Sequence, residues 1–174
     1  MTPTEEFINA LQSLGPGDLA ALRRWAGQPP DESVAAFDLF TGLWWPLRRK
    51  NQRAPRREVA WLAAKLFAFR PLPPRTGVTL AAQLGGLAAD EGKPTWSRLQ
   101  SRFDRLLAAP LNLIEAHLQQ AISMIAARWS GDATLDWVAL VDDLSRWEGE
   151  EIREEWARQY LAARDPTFTA KGEA

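Results

Sequence analysis

The stretch PTWSRLQSRFDRLL, residues 94 to 107, decides the fold class, because two side-chain chemistries repeat along it at helical spacing. Leu99, Phe103 and Leu106 fall at intervals of four and three, which gathers them on one face of an α-helix. Arg98, Arg102 and Arg105 keep the same intervals one position earlier and form a narrow stripe on the neighbouring face. One face suits a protein core and the other presents guanidinium groups. Three arginines along roughly 10 Å of helix axis are spaced to meet successive phosphates of a nucleic-acid strand. The alternative is a solvated stripe paired with acidic neighbours. Asp104 points away from it, which favours the phosphate reading.

The same periodicity extends outward in both directions. Alternating β-branched runs do not occur, and Leu, Ala, Arg, Glu and Gln dominate every periodic stretch. The expected fold is all-α, a compact bundle of about eight or nine helices. A first helix is expected from Thr4 as its cap, a second over 18–25, and a third over 33–45 that Pro46 and a basic tract break. Pro55 suits the first turn of a fourth helix ending before Pro71, and 71–77 reads as a loop. Further helices are expected over 79–89, 94–107, 111–129, 135–147 and 150–163. The organisation expected is a single helical domain over 1–165, with 1–91 and 92–165 as the lobes if it divides, and a frayed tail over 166–174.

A net charge of −1 conceals a segregation of sign. From Arg48 to Arg105 there are thirteen Lys/Arg against four Asp/Glu, whereas 132–174 carries five against eleven. Clustered arginine is the footprint of a phosphate-binding surface, and a solvated helical face is the competing account. Within this middle the tract Arg48, Arg49, Lys50, Arg53, Arg56, Arg57 contains no acid, and Arg75 extends it on a proline-rich loop. Trp44 and Trp45 precede the tract. Tryptophan at helical spacing is more often core than a stacking platform for bases.

Several chemistries are excluded. The chain has no Cys and one His, so disulfides, thiolate nucleophiles and His/Cys zinc sites are absent. His117, between Ile114 and Leu118, reads as a packing residue. The group Glu150, Glu151, Glu154, Glu155 reads as a solvated acidic face rather than a metal site. No Walker loop, G-x-S-x-G elbow or H-E-x-x-H pair is present, and neither an enzyme nor a cofactor is expected. No window approaches the ~20 apolar residues of a membrane span, so a cytoplasmic protein without a membrane partner is expected.

Five segments in register carry a family resemblance: FINALQSLGPGDLAALRRW from Phe7, AFDLFTGL from Ala36, RFDRLL from Arg102, DWVALVDDLSRW from Asp136 and WARQY from Trp156. In order and spacing they resemble the CasB family, the small subunit of the type I-E CRISPR effector complex called Cascade. The resemblance implies a non-catalytic, all-helical protein of antiviral defence, present as two copies along a crRNA-guided complex. Its partners would be the large subunit, the repeated backbone subunits, crRNA and target DNA. Its basic groove would hold strands opened during R-loop formation by contacts indifferent to sequence. By the same resemblance Arg23 and Arg24 match an Arg pair ending the second helix, and Arg102 and Arg105 match the basic positions of the R-F-x-x-L-L segment. Arg48, Arg49, Lys50 and Arg53 match a basic loop of variable length. Gln119, Gln120, Glu148, Glu150 and Glu151 stand where relatives carry basic residues, which narrows the expected surface towards the central stripe. A second reading, from a different class, is a helical adaptor whose Arg patch docks an acidic protein surface.

Overall fold

The computed structural model describes residues 1–30 and 34–170. The described residues form ten helices: α1 (Pro3–Gln12), α2 (Pro16–Arg23), α3 (Val34–Lys50), α4 (Arg57–Phe69), α5 (Leu80–Glu91), α6 (Lys93–Ala108), α7 (Glu115–Arg128), α8 (Trp137–Leu144), α9 (Glu150–Arg164) and the single turn α10 (Thr167–Ala170). The all-α class expected from periodicity is what the chain adopts. Ser33, the expected start of the third helix, lies outside the described residues, as does 171–174 of the tail. Residues 167–170, expected to fray, are held as a helical turn by the Asp165 carboxylate, which accepts from the Thr167 N–H and hydroxyl at 3.0 and 2.7 Å.

Two units divide the chain, and their boundaries are not at residue 92. One comprises 1–72 with 137–145, the other 73–136 with 146–174. The reason is that α8 packs with α1 and α4, returning a late segment to the early unit. In that unit α4 is the centre, with every residue from Val59 to Ala68 buried. Its four alanines leave room for close helix approach, and α2, α3 and α8 pack on it. Phe67 meets Trp137 edge-on at 5.2 Å, and the Trp137 indole N–H donates to the Leu72 carbonyl at 2.8 Å. Trp61 and the buried Lys65 both donate to the Gln28 carbonyl, at 2.8 and 2.9 Å. A buried lysine is tolerated only with such partners.

Local capping corrects two boundaries. Thr2, not Thr4, caps α1: it accepts from the Glu5 N–H while the Glu5 side chain accepts from Thr2, a reciprocal capping box. Thr4 is buried and donates to Asp142 at 2.7 Å. Nor does Pro46 break α3, which continues through it to Lys50. The N–H that proline lacks would have bonded the Gly42 carbonyl. Both residues are exposed, and an unpaired carbonyl on an exposed face costs less than one in a core.

In the second unit α5 packs against α6, α7 and α9. Gly92, at φ 80°, ends α5 and starts α6 with no intervening loop. The segment 73–78 is pinned by residues 135–136. Arg75 N–H donates to the Leu135 carbonyl at 3.1 Å, and Gly77 N–H donates to the Asp136 carboxylate at 2.7 Å. The expected helix over 135–147 is therefore shorter at both ends. Residues 135–136 are held in this pairing, and beyond Leu144 the buried Trp147 donates to the Ala109 carbonyl at 2.9 Å. Likewise α7 starts at Glu115 rather than 111.

Candidate nucleic-acid interface

Helix α6 is clamped along its length, which fixes the direction of its arginines. At its start the Trp96 indole donates to the Ala88 carbonyl at 2.8 Å, and the Arg164 guanidinium covers the Trp96 ring at 4.6 Å. Leu99, Phe103 and Leu106 are buried, as their spacing requires, and Phe103 stacks on Tyr160 with centroids 4.2 Å apart. Burial pushes the Tyr160 phenol above its ordinary pKa, and the neighbouring Arg164 charge works against that rise. Among the described residues Asp104 forms no ion pair with the stripe; its carboxylate accepts from Gln100 at 2.7 Å, and Gln100 in turn accepts from Arg164 at 2.9 Å.

Arg98, Arg102 and Arg105 are all exposed, and among the described residues none of the three joins an ion pair. Arg98 and Arg102 flank a cleft of about 420 Å³, walled also by Leu87, Glu91, Met124 and Ala127. Arg128 completes this wall. It pairs with Asp90 at 3.0 Å, each side chain about half exposed. Sequence reading missed Arg128. It is the only cation between Arg105 and Arg146, and only folding brings the end of α7 beside α6. Arg105 does not line the cleft. Arg75 is exposed on the pinned 73–78 segment.

The other candidate cations belong to the first unit. Arg23 and Arg24 are exposed at the end of α2, each with its Nε on a carbonyl of the preceding turn, Leu19 and Ala20, at 3.3 Å. Arg48, Arg49 and Lys50 form the last turn of α3 and are not the loop that was expected. Arg48 is half-buried, and its guanidinium donates to the Gln52 carbonyl and, at 2.8 Å, to the Ala54 carbonyl. Arg49, Lys50 and Arg53 are exposed. This division predicts different effects for adjacent arginines. Arg48→Ala removes two charge-assisted bonds holding the 51–55 turn and is expected to cost about 1–2 kcal/mol in urea unfolding. Arg49→Ala is expected to leave the midpoint unchanged. Equal midpoints for the two variants would contradict the structural role of Arg48.

Trp44 is a packing residue, as its spacing suggested. It stacks on Phe40 at 5.8 Å and donates to the Pro55 carbonyl at 2.8 Å. Trp45 is 49% exposed. His117 is half-buried beside Arg102, Gln120 and Tyr160 in a small cavity of about 10 Å³. In the acidic face of α9, Glu155 pairs with Arg158 at 2.7 Å. No group of three or more His, Cys, Asp or Glu able to hold a metal occurs among the described residues, and no described helix is long and apolar enough to cross a membrane.

Helical packing with an exposed arginine stripe that joins no ion pair among the described residues defines an all-α protein with a basic face. A family model described as CRISPR-associated protein Cse2 matches residues 18–161. The chain belongs to the Cse2 family, and its resemblance to CasB proteins is thereby established. A Cse2-family CRISPR-associated protein from Thermus thermophilus is 28% identical over 94% of this chain and 100% of its own, with a TM-score of 0.70. CasB from M. ruber shares the fold at 23% identity and a TM-score of 0.73, covering 97% of this chain and 98% of its own. A chain of a CRISPR RNA-guided surveillance complex does so at 21% identity and a TM-score of 0.69, with 98% of each chain covered. No curated protein matches the sequence.

Proposed function

We propose that this Cse2-family chain is a non-catalytic small subunit of a crRNA-guided surveillance complex, where it holds nucleic-acid backbone without reading sequence and stabilises the R-loop in antiviral defence. The observation that carries the reading is the stripe Arg98, Arg102, Arg105, exposed on a helix whose neighbouring face is anchored by Leu99, Phe103 and Leu106. Rigid placement matters, because a preordered guanidinium loses little freedom on meeting a phosphate. R-loop formation exchanges one duplex for another of similar stability, so a few phosphate contacts are enough to tip it. The fold shared with a chain of a surveillance complex supports the assembly reading. The partners proposed are the large subunit, the repeated backbone subunits, crRNA, target DNA and a second copy of this chain, in the cytoplasm.

Fluorescence anisotropy of labelled single-stranded and duplex DNA tests the reading. The isolated subunit is expected to bind unrelated sequences alike, with dissociation constants of about 10⁻⁴–10⁻⁶ M at physiological salt that weaken steeply as salt rises. Paired copies in an assembly bind more tightly through effective concentration. Absence of binding even at low salt would instead favour an adaptor whose Arg patch meets an acidic protein surface.

A further inference from the structure

The cleft formed by α5, α6 and α7 has a chemistry that phosphate binding alone does not require. Its walls divide into an apolar part, Leu87, Leu99, Met124 and Ala127, and a cationic part, Arg98, Arg102 and Arg128. Glu91 is the single carboxylate among the lining residues. A surface that only tracked a duplex backbone would need the arginines and no apolar hollow between them. We propose that this cleft receives one unstacked base of a single strand, with Arg98, Arg102 and Arg128 on the phosphates that flank it. The inference rests on the nucleic-acid reading above and specifies the form of strand that the second unit holds.

Size, charge and the state of the wall side chains agree with that occupant. A cleft of about 420 Å³ is within the range of sites that enclose small organic ligands, ~300–1,000 Å³. A base in a duplex is stacked on both faces and cannot enter it, whereas a base in an opened strand has a bare face to bury. Three guanidinium groups against Glu91 in the wall and Asp90 behind Arg128 still leave the site net positive, which complements a phosphodiester. Arg128 is tethered to Asp90 at 3.0 Å, and the pair is half exposed. Such a pair adds little stability, yet it fixes where the guanidinium stands while leaving donors for a ligand. On the facing wall Arg102 Nη1 lies 3.4 Å from Met124 Sδ, setting a planar cation beside an adaptable thioether. Bases stack on arginine planes as they do on aromatic rings.

The test compares three probes on the intact protein: a short single-stranded oligonucleotide, the same strand with its central bases removed, and the matching duplex. The base-bearing strand is expected to bind about tenfold more tightly than the abasic one. Ala127→Leu fills part of the cleft from an exposed position without changing charge and without adding an aromatic ring on which a base could stack. It is expected to bring the two strands to equal affinity while leaving abasic and duplex binding where they were. Ala127→Ile repeats the filling with a side chain of different shape and leaves Met124, which contacts Arg102, in place. A 2-aminopurine placed centrally in the strand is expected to change its fluorescence on binding wild type and much less on binding either filled variant. Equal wild-type affinity for ordinary and abasic strands would overturn the cleft while leaving the phosphate reading intact. So would a full base preference retained by a filled variant whose circular dichroism matches wild type. Failure of wild type to bind any of the three probes at low salt would remove the phosphate reading as well.

Discussion

Replacing Gly85 with alanine is expected to lower the melting temperature by about 5–10 °C, whereas the same change at the adjacent Gly86 is expected to raise it slightly. Both glycines lie within α5, where alanine gains about 1 kcal/mol over glycine from helix propensity alone. Their surroundings differ. A Cβ on Gly85 would stand 2.2 Å from the Tyr160 carbonyl oxygen, 3.0 Å from its carbonyl carbon and 2.9 Å from the Ala163 Cβ. These are backbone and first side-chain atoms of α9 with no rotamer to yield, so the two helices must separate. Overpacking ordinarily costs about 1–3 kcal/mol and more where backbone has to move, which exceeds the propensity gain. A net loss of about 2–3 kcal/mol corresponds to the stated shift for a chain of this length. Gly86 has nothing within 4 Å, so only the propensity term acts there. Scanning calorimetry of the two variants measures both signs, and a Gly85→Ala melt within about 1 °C of wild type would contradict the close approach of α5 and α9. The consequence reaches the arginine stripe, because Tyr160 and Arg164 on α9 hold α6 through Phe103 and Gln100.

What was legible in the sequence is what local periodicity encodes. The spacing of Leu99, Phe103 and Leu106 against Arg98, Arg102 and Arg105 separated the buried face from the exposed one, as the structure has it. Periodicity also identified the nine longer helices, because each buries a stripe against neighbours. It was silent on which neighbours those are. Nothing in the 137–144 segment says that it joins the early unit, since its apolar pattern would serve either. Proline rules failed at Pro46 because they count a lost hydrogen bond without knowing that Gly42 and Pro46 both lie exposed.

For the surface, composition located the basic region but could not tell a guanidinium holding its own backbone from one left for a ligand. Arg48 and Arg49 are alike in sequence, yet Arg48 closes the turn after α3 and Arg49 stands exposed. Arg128 was invisible for the opposite reason. It lies in no cluster along the chain, and the cleft it completes takes residues from three helices. The CasB-like motifs fared better than charge counting, because order and spacing over most of a chain constrain a fold in a way that a run of arginines does not.

Simultaneous Arg98→Ala, Arg102→Ala and Arg105→Ala substitutions are expected to weaken single-strand binding on the order of 50-fold at 0.15 M salt, with each single change near fourfold. The figures follow from counterion release. Each neutralised phosphate of a single strand contributes about 0.7 to the slope of log affinity against log salt, so removing three lowers that slope by about 2. Because all three side chains are exposed and the one contact among them, Arg102 with Met124, is itself exposed, the melting temperature is expected to stay close to wild type. That combination separates a ligand-facing stripe from a structural one, since a structural stripe would lose stability and binding together. Unchanged affinity and slope in the triple variant would place the phosphate contacts elsewhere, on Arg75 or Arg128 of the second unit or on the first unit, where Arg23, Arg24, Arg49, Lys50 and Arg53 are exposed. In the proposed assembly the same substitutions would act on each copy of the subunit, and their effects on target-strand opening would multiply if two copies contact one strand. A deficit in R-loop formation larger than the deficit of the isolated subunit is therefore the expected signature of the proposed role. An equal or smaller deficit would mean that the stripe binds strands in isolation without holding the opened duplex.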